Sequence, residues 1–441
     1  MRKYFYSLLS RYLSLFVLPQ NSVVEVDPIS PRVIAPFANG AVTFRNSANA
    51  PKTEIYTRTV AFEDLLTNNP DYILLNGLLQ QERDIQALLA LIHKKSHPTT
   101  RLILTYYSSL WRPLIRLASR LGLRRKTPEL NWLAHQDIDN LLYLEGFELI
   151  RREGKVILPM WIPLLSNFAN CYLAPLPFFR LFCLVNIVVA RPLHLASTEK
   201  RAPSVSIIIP ARNESGNIEE IIRRIPDMGP HDEVIFIEGN STDDTWSTIQ
   251  RMYREQSTIR PMQIAQQSGK GKGDAVRKGF DMARNEILMI LDADMTVPPE
   301  DLVKFYRAIA AGRGEFINGS RLVYPMEKRA MRFFNLLGNK FFATAFSFVL
   351  GQRFKDTLCG TKVLSRENYQ KLAANRGFFG DFDPFGDFDL IFGASRMCLK
   401  TVEVPVTYAE RKYGDTNISR WTHGSVLLVM LLFAAKRIKF I

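Results

Sequence analysis

The sequence predicts an α/β protein of two domains, each a sheet covered by helices, and three observations lead there. Short runs rich in Val, Ile and Leu alternate with segments of helical periodicity, the pattern of strands joined by crossover helices. A polar stretch, Leu193 to Pro203, contains Ser197-Thr-Glu-Lys-Arg-Ala-Pro and divides the chain into 1–198 and 199–441. A chain of 441 residues, 47% apolar and 23% charged, has ordinary globular composition for two or three domains.

The formal net charge of +14, from 57 Lys and Arg against 43 Asp and Glu, favours an anionic partner without choosing among nucleotide, nucleic acid and acidic lipid. Cys171, Cys183, Cys359 and Cys398 have no metal-type or Cys-x-x-Cys spacing, which argues against a zinc site or disulfide framework and fits a reducing, cytoplasmic location. Met1 to Gln20 is apolar and basic, but Arg11 interrupts it and no small-residue cleavage site follows, so an amphipathic helix is expected there. Val156 to Ala190 is the most apolar region. Pro159, Pro163, Pro175, Pro177 and Arg180 cut it into pieces shorter than the ~20 residues of a spanning helix. Val426 to Ala435 is also short and precedes Lys436, Arg437 and Lys439, which suits a helix packed on the domain or lying in a membrane interface.

In the first domain, strands are expected at Ser22–Val26, Asp71–Asn76, Arg101–Thr105 and Leu184–Ala190, with helices at Arg83–Lys94, Leu110–Leu121 and Asp137–Glu145. Asp71-Tyr-Ile-Leu-Leu-Asn, the strand and helix from Arg101 to Arg112, Glu145-Gly-Phe-Glu148 and Val188-Val-Ala-Arg-Pro192 resemble class I S-adenosylmethionine-dependent methyltransferases. That family approaches its cofactor with a glycine-rich turn after the first strand. Here Val23-Val-Glu-Val26 runs into Asp27-Pro-Ile-Ser-Pro-Arg32, with no glycine before Gly40, and proline supplies no amide donor. The resemblance therefore implies a degenerate domain, and no S-adenosylmethionine is expected to bind.

The second domain opens with the strand Val205–Ile209, the turn Pro210-Ala-Arg-Asn-Glu-Ser-Gly216 and a helix over Asn217–Ile225. Strand Glu233–Glu238 leads into Gly239-Asn-Ser-Thr-Asp-Asp-Thr245, whose short polar side chains suit a helix start. A strand near Pro261–Ala265 precedes Ser268-Gly-Lys-Gly-Lys-Gly-Asp274 and a helix over Ala275–Ala283. The apolar run Ile287–Leu291 then ends in Asp292-Ala293-Asp294. This places two acids at the carboxyl end of a buried strand, where ligands bind in open α/β sheets and a divalent cation finds hard oxygen donors. A capped strand end is the plain alternative.

Val205-Ser-Ile-Ile-Ile-Pro-Ala-Arg-Asn-Glu214, Gly239-Asn-Ser-Thr-Asp-Asp-Thr245, Gly269-Lys-Gly-Lys-Gly273, Leu291-Asp-Ala-Asp294, Gly319-Ser-Arg321 and Cys359-Gly-Thr-Lys362 resemble, in order, the family 2 glycosyltransferases. Among these the likeness is to the polyprenol-phosphate sugar transferases, over roughly residues 203 to 424. The resemblance implies two Rossmann-like domains, the second of GT-A type, using a GDP- or UDP-linked sugar with Mg2+ or Mn2+. It implies Asp294 as metal ligand and Asp292 as a contact to metal or ribose, with Ala293 between them at the donor. Thr296 stands where relatives often carry a longer amide.

Pro210, Arg212 and Glu214 match the turn that holds base and ribose. Glu238 matches an acid that reads the base, with Gly239 in place of a second acid. Lys270 and Lys272 are placed to approach phosphate, and Arg321 matches a diphosphate contact. Arg411 and Lys412 match basic residues over donor and acceptor phosphates, Gly414 suits a hinge, and Asn417 stands where relatives often have Lys. Asp387 and Asp389 read equally as a general base for a hydroxyl acceptor or as structural partners of nearby cations, because a phosphate acceptor needs no base.

Phe333-Phe334, Phe341-Phe342 and Phe346–Leu350, near Arg329, Arg332, Lys340 and Arg353, match a helix that rests on the membrane in relatives. The function expected is inverting sugar transfer to a polyprenyl or dolichyl phosphate by a peripheral protein on the cytoplasmic face of a membrane, with no nucleic-acid partner. The alternatives are transfer to a hydroxyl group, or a non-catalytic scaffold that binds nucleotide sugar.

Overall fold

A computed structural model describes residues 2–45, 58–65, 69–122, 131–193, 201–324, 333–378, 386–411, 413 and 420–441. The chain forms two compact units, one of Met1–Leu195 with Ala435–Ile441 and one of Ala196–Ala434.

The first unit holds β1 (Val23–Val26), β2 (Gly40–Thr43), β3 (Tyr72–Asn76), β4 (Arg101–Tyr107), β5 (Phe147–Lys155) and β6 (Val185–Pro192), in the order β2-β1-β3-β4-β6-β5. β2, β1, β3 and β4 run parallel, whereas β6 is antiparallel to both β4 and β5. Apolar runs announce β1, β3, β4 and β6, and helices Ile85–Lys94, Arg112–Arg120 and His135–Leu144 fall in the expected stretches. Asp84 starts the first of these by accepting from Ala87 N at 2.9 Å.

β5 escapes sequence reading because its charges are buried. Glu153 pairs with Arg151 Nη2 at 2.8 Å and with Lys439 Nζ at 2.9 Å, the latter from the chain's last segment. Burial alone would raise the Glu153 pKa, but Lys439, Arg151 and Lys155 outweigh it and hold the carboxyl well below its usual range. Arg151 and Lys155 lie over the rings of Phe16 and Tyr12, at 4.8 and 5.0 Å from the centroids.

The second unit holds β7 (Val205–Ala211), β8 (Glu233–Glu238), β9 (Met262–Gln266), β10 (Ile287–Ile290), β11 (Phe316–Ser320), β12 (Lys362–Ser365) and β13 (Thr401–Pro405). Their order is β13-β11-β12-β10-β7-β8-β9. β10, β7, β8 and β9 are parallel, and β12 runs antiparallel between β10 and β11. Ile207, Ile209, Phe236, Met289 and Leu291 are fully buried on one face of this sheet and Ile208, Ile237 and Leu288 are buried as well, so both faces are covered and the strands read as unbroken apolar runs. The strand order reverses between β7 and β10, which puts a crevice at their carboxyl ends.

No helix among the described residues is long and apolar enough to cross a membrane.

Candidate active site

Leu291 extends β10 by donating its N–H to Ile208 O at 3.0 Å. Beyond it burial alternates: Ala293, Met295 and Val297 point into the core, while Asp292, Asp294 and Thr296 point out at the crevice. Met295 takes φ +52°, which turns the chain sharply after the second acid. Thr296 donates to Asp294 Oδ1 from its N–H at 3.0 Å and its hydroxyl at 2.9 Å, so it orients that carboxylate.

Arg411 joins the two sides of the crevice. Its Nη2 reaches Asp294 Oδ2 at 2.7 Å and its Nη1 reaches Glu214 Oε1 at 2.9 Å, tying the turn after β10 to the turn after β7. Asn217 Nδ2 donates to the other Glu214 oxygen at 2.7 Å. Burial pushes the Glu214 carboxyl up to about 7; Arg411 pulls it down and Asp294 pushes it up further.

Asp292 Oδ1 sits 2.6 Å from Lys272 Nζ, at the start of helix Lys272–Met282. Burial raises the Asp292 pKa, but Lys272, then Lys362 and Arg321, outweigh it and the net shift is downward. Lys272, expected from the sequence to approach phosphate, is paired with Asp292, and Lys270 is exposed on the same loop. That loop turns at Gly271, φ +84°, and is pinned by Gly269 N donating to Asp274 Oδ2 at 2.9 Å.

Gly360 is a residue whose role only the structure reveals. A Cβ there would lie 1.9 Å from Asp292 Oδ2 and 2.5 Å from Lys272 Nζ, so the backbone approaches the ion pair as closely as glycine alone permits. Gly360→Ala is expected to lower turnover by about 10²-fold through misplacement of Asp292, with an overpacking cost of about 1–3 kcal/mol. Steady-state kinetics beside a thermal melt checks it, and unchanged kinetics would refute the close approach.

Arg321 is largely enclosed. Its Nε and Nη2 donate to Asp356 at 2.7 and 2.9 Å, and the Tyr408 ring covers its guanidinium at 5.1 Å. Pro210 pairs in register with Ile237 near the end of β7. Arg212 is exposed, its Cβ 3.1 Å from where a Cβ on Gly239 would stand, so Gly239 makes room for it. Glu238 is buried and accepts from Ser241 N and from Gln266 Nε2, the latter at 2.9 Å, which shapes the turn after β8.

The segment after β13 lies across the crevice. Ala409 N donates to Thr296 O at 3.0 Å, and the Tyr413 hydroxyl meets Ser215 Oγ at 2.9 Å. Asp356 opens a segment, Asp356–Leu364, that resembles the acceptor side of the family, and Tyr408 and Tyr413 lie within the closing run Glu403–Asn417, but no role for these three side chains is legible in the sequence. Lys412, Gly414 and Asn417 lie outside the described residues, as does the side chain of Asp387. Gly386, which begins helix Asp387–Arg396, abuts Gly273 beside Lys272: a Cβ there would lie 2.5 Å from Gly273 Cα. Asp389 is bound to Arg376 Nε at 2.7 Å.

Asp292 and Asp294 fit a divalent cation. Both carboxylates already draw a cationic nitrogen to within 2.7 Å, and Mg2+ commonly takes one or two carboxylates with substrate phosphates completing the shell. Among the described residues no cluster of three or more His, Cys, Asp or Glu is placed to hold a metal ion.

Residues 206–373 match the sequence profile of glycosyl transferase family 2. Glycosyltransferase AglJ of Haloferax volcanii is 31% identical over 235 residues, 53% of this chain and 72% of its own. A dolichol-phosphate mannosyltransferase of Pyrococcus furiosus is 29% identical over 48% of this chain and 59% of its own length. Polyprenol monophosphomannose synthase of Mycolicibacterium smegmatis is 27% identical over 48% of this chain and 80% of its own. Among solved structures, glucosyl-3-phosphoglycerate synthase from Mycobacterium tuberculosis aligns over 54% of this chain and 80% of its own, at 19% identity and a TM-score of 0.38.

Proposed function

The chain belongs to glycosyl transferase family 2 and is a glycosyltransferase, and on that premise we propose that it moves one sugar, with inversion, from a nucleoside diphosphate to a polyprenyl phosphate. The observation that carries this reading is the join of Asp294, Arg411 and Glu214 across the crevice between β7 and β10. On this reading the diphosphate side of the donor lies at that sheet edge. The named activities of the Pyrococcus furiosus and Mycolicibacterium smegmatis relatives support the acceptor.

A phosphate oxygen of the acceptor attacks the anomeric carbon opposite the diphosphate; the new C–O bond forms as the old one breaks, and the nucleoside diphosphate leaves with the electron pair. Arg212 stacks on the base and Pro210 shapes the turn beneath it. Lys272, Lys270, Arg411 and Lys412 gather the phosphates, and Arg321, fixed by Asp356, adds positive potential at Asp292. Mg2+ or Mn2+, held by Asp292 and Asp294, would neutralise the leaving diphosphate as a Lewis acid. The acceptor phosphate is already ionised near neutral pH, so no base is required, in keeping with Asp389 being committed to Arg376.

Helices Phe333–Leu350 and Arg420–Ala434 pack together and leave Leu337, Phe341, Leu428, Val429 and Leu432 exposed, which supports a membrane-borne acceptor. The first unit acts as a methyltransferase-like scaffold without S-adenosylmethionine. At the end of β1, Asp27 binds Arg45 at 2.6 Å and Arg45 binds Glu82 at 2.7 Å, across the sheet edge where a cofactor would lie.

The test is a panel of nucleotide sugars with Mg2+ or Mn2+ and a short polyprenyl phosphate. One donor is expected to yield a polyprenyl-phosphate sugar. Products on hydroxyl acceptors alone would sink the reading.

A further inference from the structure

We propose that the first unit carries a membrane-docking face, built from residues 160–182 and helix Arg112–Arg120, that seats on a bilayer containing anionic phospholipid. The longer segment is inside out. Ser166 is fully buried, accepting from Ile162 N at 2.8 Å and donating to Met160 O at 2.7 Å. Asn170 is equally buried; it accepts from the N–H groups of Ile157 and Leu158 at 2.8 and 2.9 Å and donates to Leu158 O at 2.8 Å. These inward polar groups satisfy the backbone and hold the segment's shape.

Several large apolar side chains point the other way, although Ala169 and Ala174 stay buried. Trp161 is 62% exposed, Leu164 88%, Phe168 53% and Phe178 65%. Leu164 also takes φ +61°, a conformation a leucine keeps only where its surroundings enforce it. Isolated exposed apolar residues are ordinary, but an ordered segment that buries its polar groups and presents its apolar ones marks an interaction surface.

Charge identifies the occupant. Trp111 Nε1 donates to Phe182 O at 2.9 Å and so joins this segment to helix Arg112–Arg120, where Leu114 and Leu117 are exposed beside Arg112, Arg116 and Arg120. No Asp or Glu occurs from Ile85 to Pro128 or from Gly154 to Ser197. A second copy of the chain would bring these arginines against each other, at a cost. Apolar and aromatic groups beside basic ones, without acids, match an anionic lipid interface. The face belongs to the first unit and does not rest on the proposed acceptor, so transfer to a short water-soluble acceptor fails or succeeds independently of it.

The test uses the full chain and phosphatidylcholine vesicles with or without phosphatidylglycerol. Wild type is expected to cosediment with the anionic vesicles. Replacing Trp161, Leu164 and Phe168 together by Ser is expected to weaken this by at least about tenfold. Replacing Arg112, Arg116 and Arg120 by Gln is expected to weaken it about fivefold per residue. Brominated acyl chains should quench the wild-type fluorescence that Trp161→Phe removes, a reading that decides the matter even where a triple variant fails to fold. Absence of wild-type binding, no quenching of Trp161, or a solution dimer that the serine variant dissociates would overturn the assignment.

Discussion

Asp294→Ala is expected to lower sugar transfer by about 10²–10³-fold, the usual consequence of removing one preorganised electrostatic group from an active site. The carboxylate is the joint of the crevice: it accepts two hydrogen bonds from Thr296 on one oxygen and Arg411 on the other. Its loss would remove one of the two carboxylates proposed to hold the divalent cation, and leaves Arg411 to Glu214 alone. The neighbours Ala293 and Met295 keep their buried places, so the thermal transition should move little. Because Asp294 raises the Glu214 pKa, its removal should also move that group's titration downward from about 7. Single-turnover measurements at saturating donor, with a metal titration beside them, separate lost chemistry from lost binding. Activity within tenfold of wild type would count decisively against the proposed role.

Half of that joint is legible in the sequence. Strands covered on both faces must be apolar throughout, so β7, β8 and β10 stand out, and the polar residues that follow them fall at the carboxyl edge by topology. What single-sequence reading misses is partner choice. Arg411 lies far along the chain from both Glu214 and Asp294, and nothing local says that one guanidinium bridges them.

β5 and β12 were hidden for a related reason. Arg151, Glu153, Lys155 and Lys362 interrupt the apolar pattern of a strand, yet all are buried, because each charge finds partners that only the folded sheet supplies. Gly360 illustrates a third kind of blindness. Its value lies in the absence of a side chain at one contact, and a turn glycine looks the same in sequence.

Asp356→Ala should cost the second unit about 3–5 kcal/mol, because it strands the largely enclosed Arg321 without its carboxylate partner. Asp356 is fully buried and receives Arg321 on both oxygens, with Asn339 Nδ2 and Leu358 N each at 3.0 Å on Oδ1. It therefore ties the end of β11 to helix Phe333–Leu350. Burial raises the Asp356 pKa, but Arg321 outweighs it and the carboxyl falls to about 2. The folded value lies below the unfolded one. The stabilisation is thus present above about pH 4 and is lost as pH falls towards 2, amounting to roughly 2 kcal/mol.

Hydrogen exchange of the β11 and β12 amides reads this locally. Wild type and Asp356→Ala should differ most near pH 7, and the gap should narrow below pH 4. A gap independent of pH would mean that packing, not the ion pair, holds this corner. Replacing both partners, Arg321→Met with Asp356→Leu, should recover much of the lost protection because no charge is left stranded. It should not recover transfer, since the positive potential that Arg321 places at Asp292 would be gone.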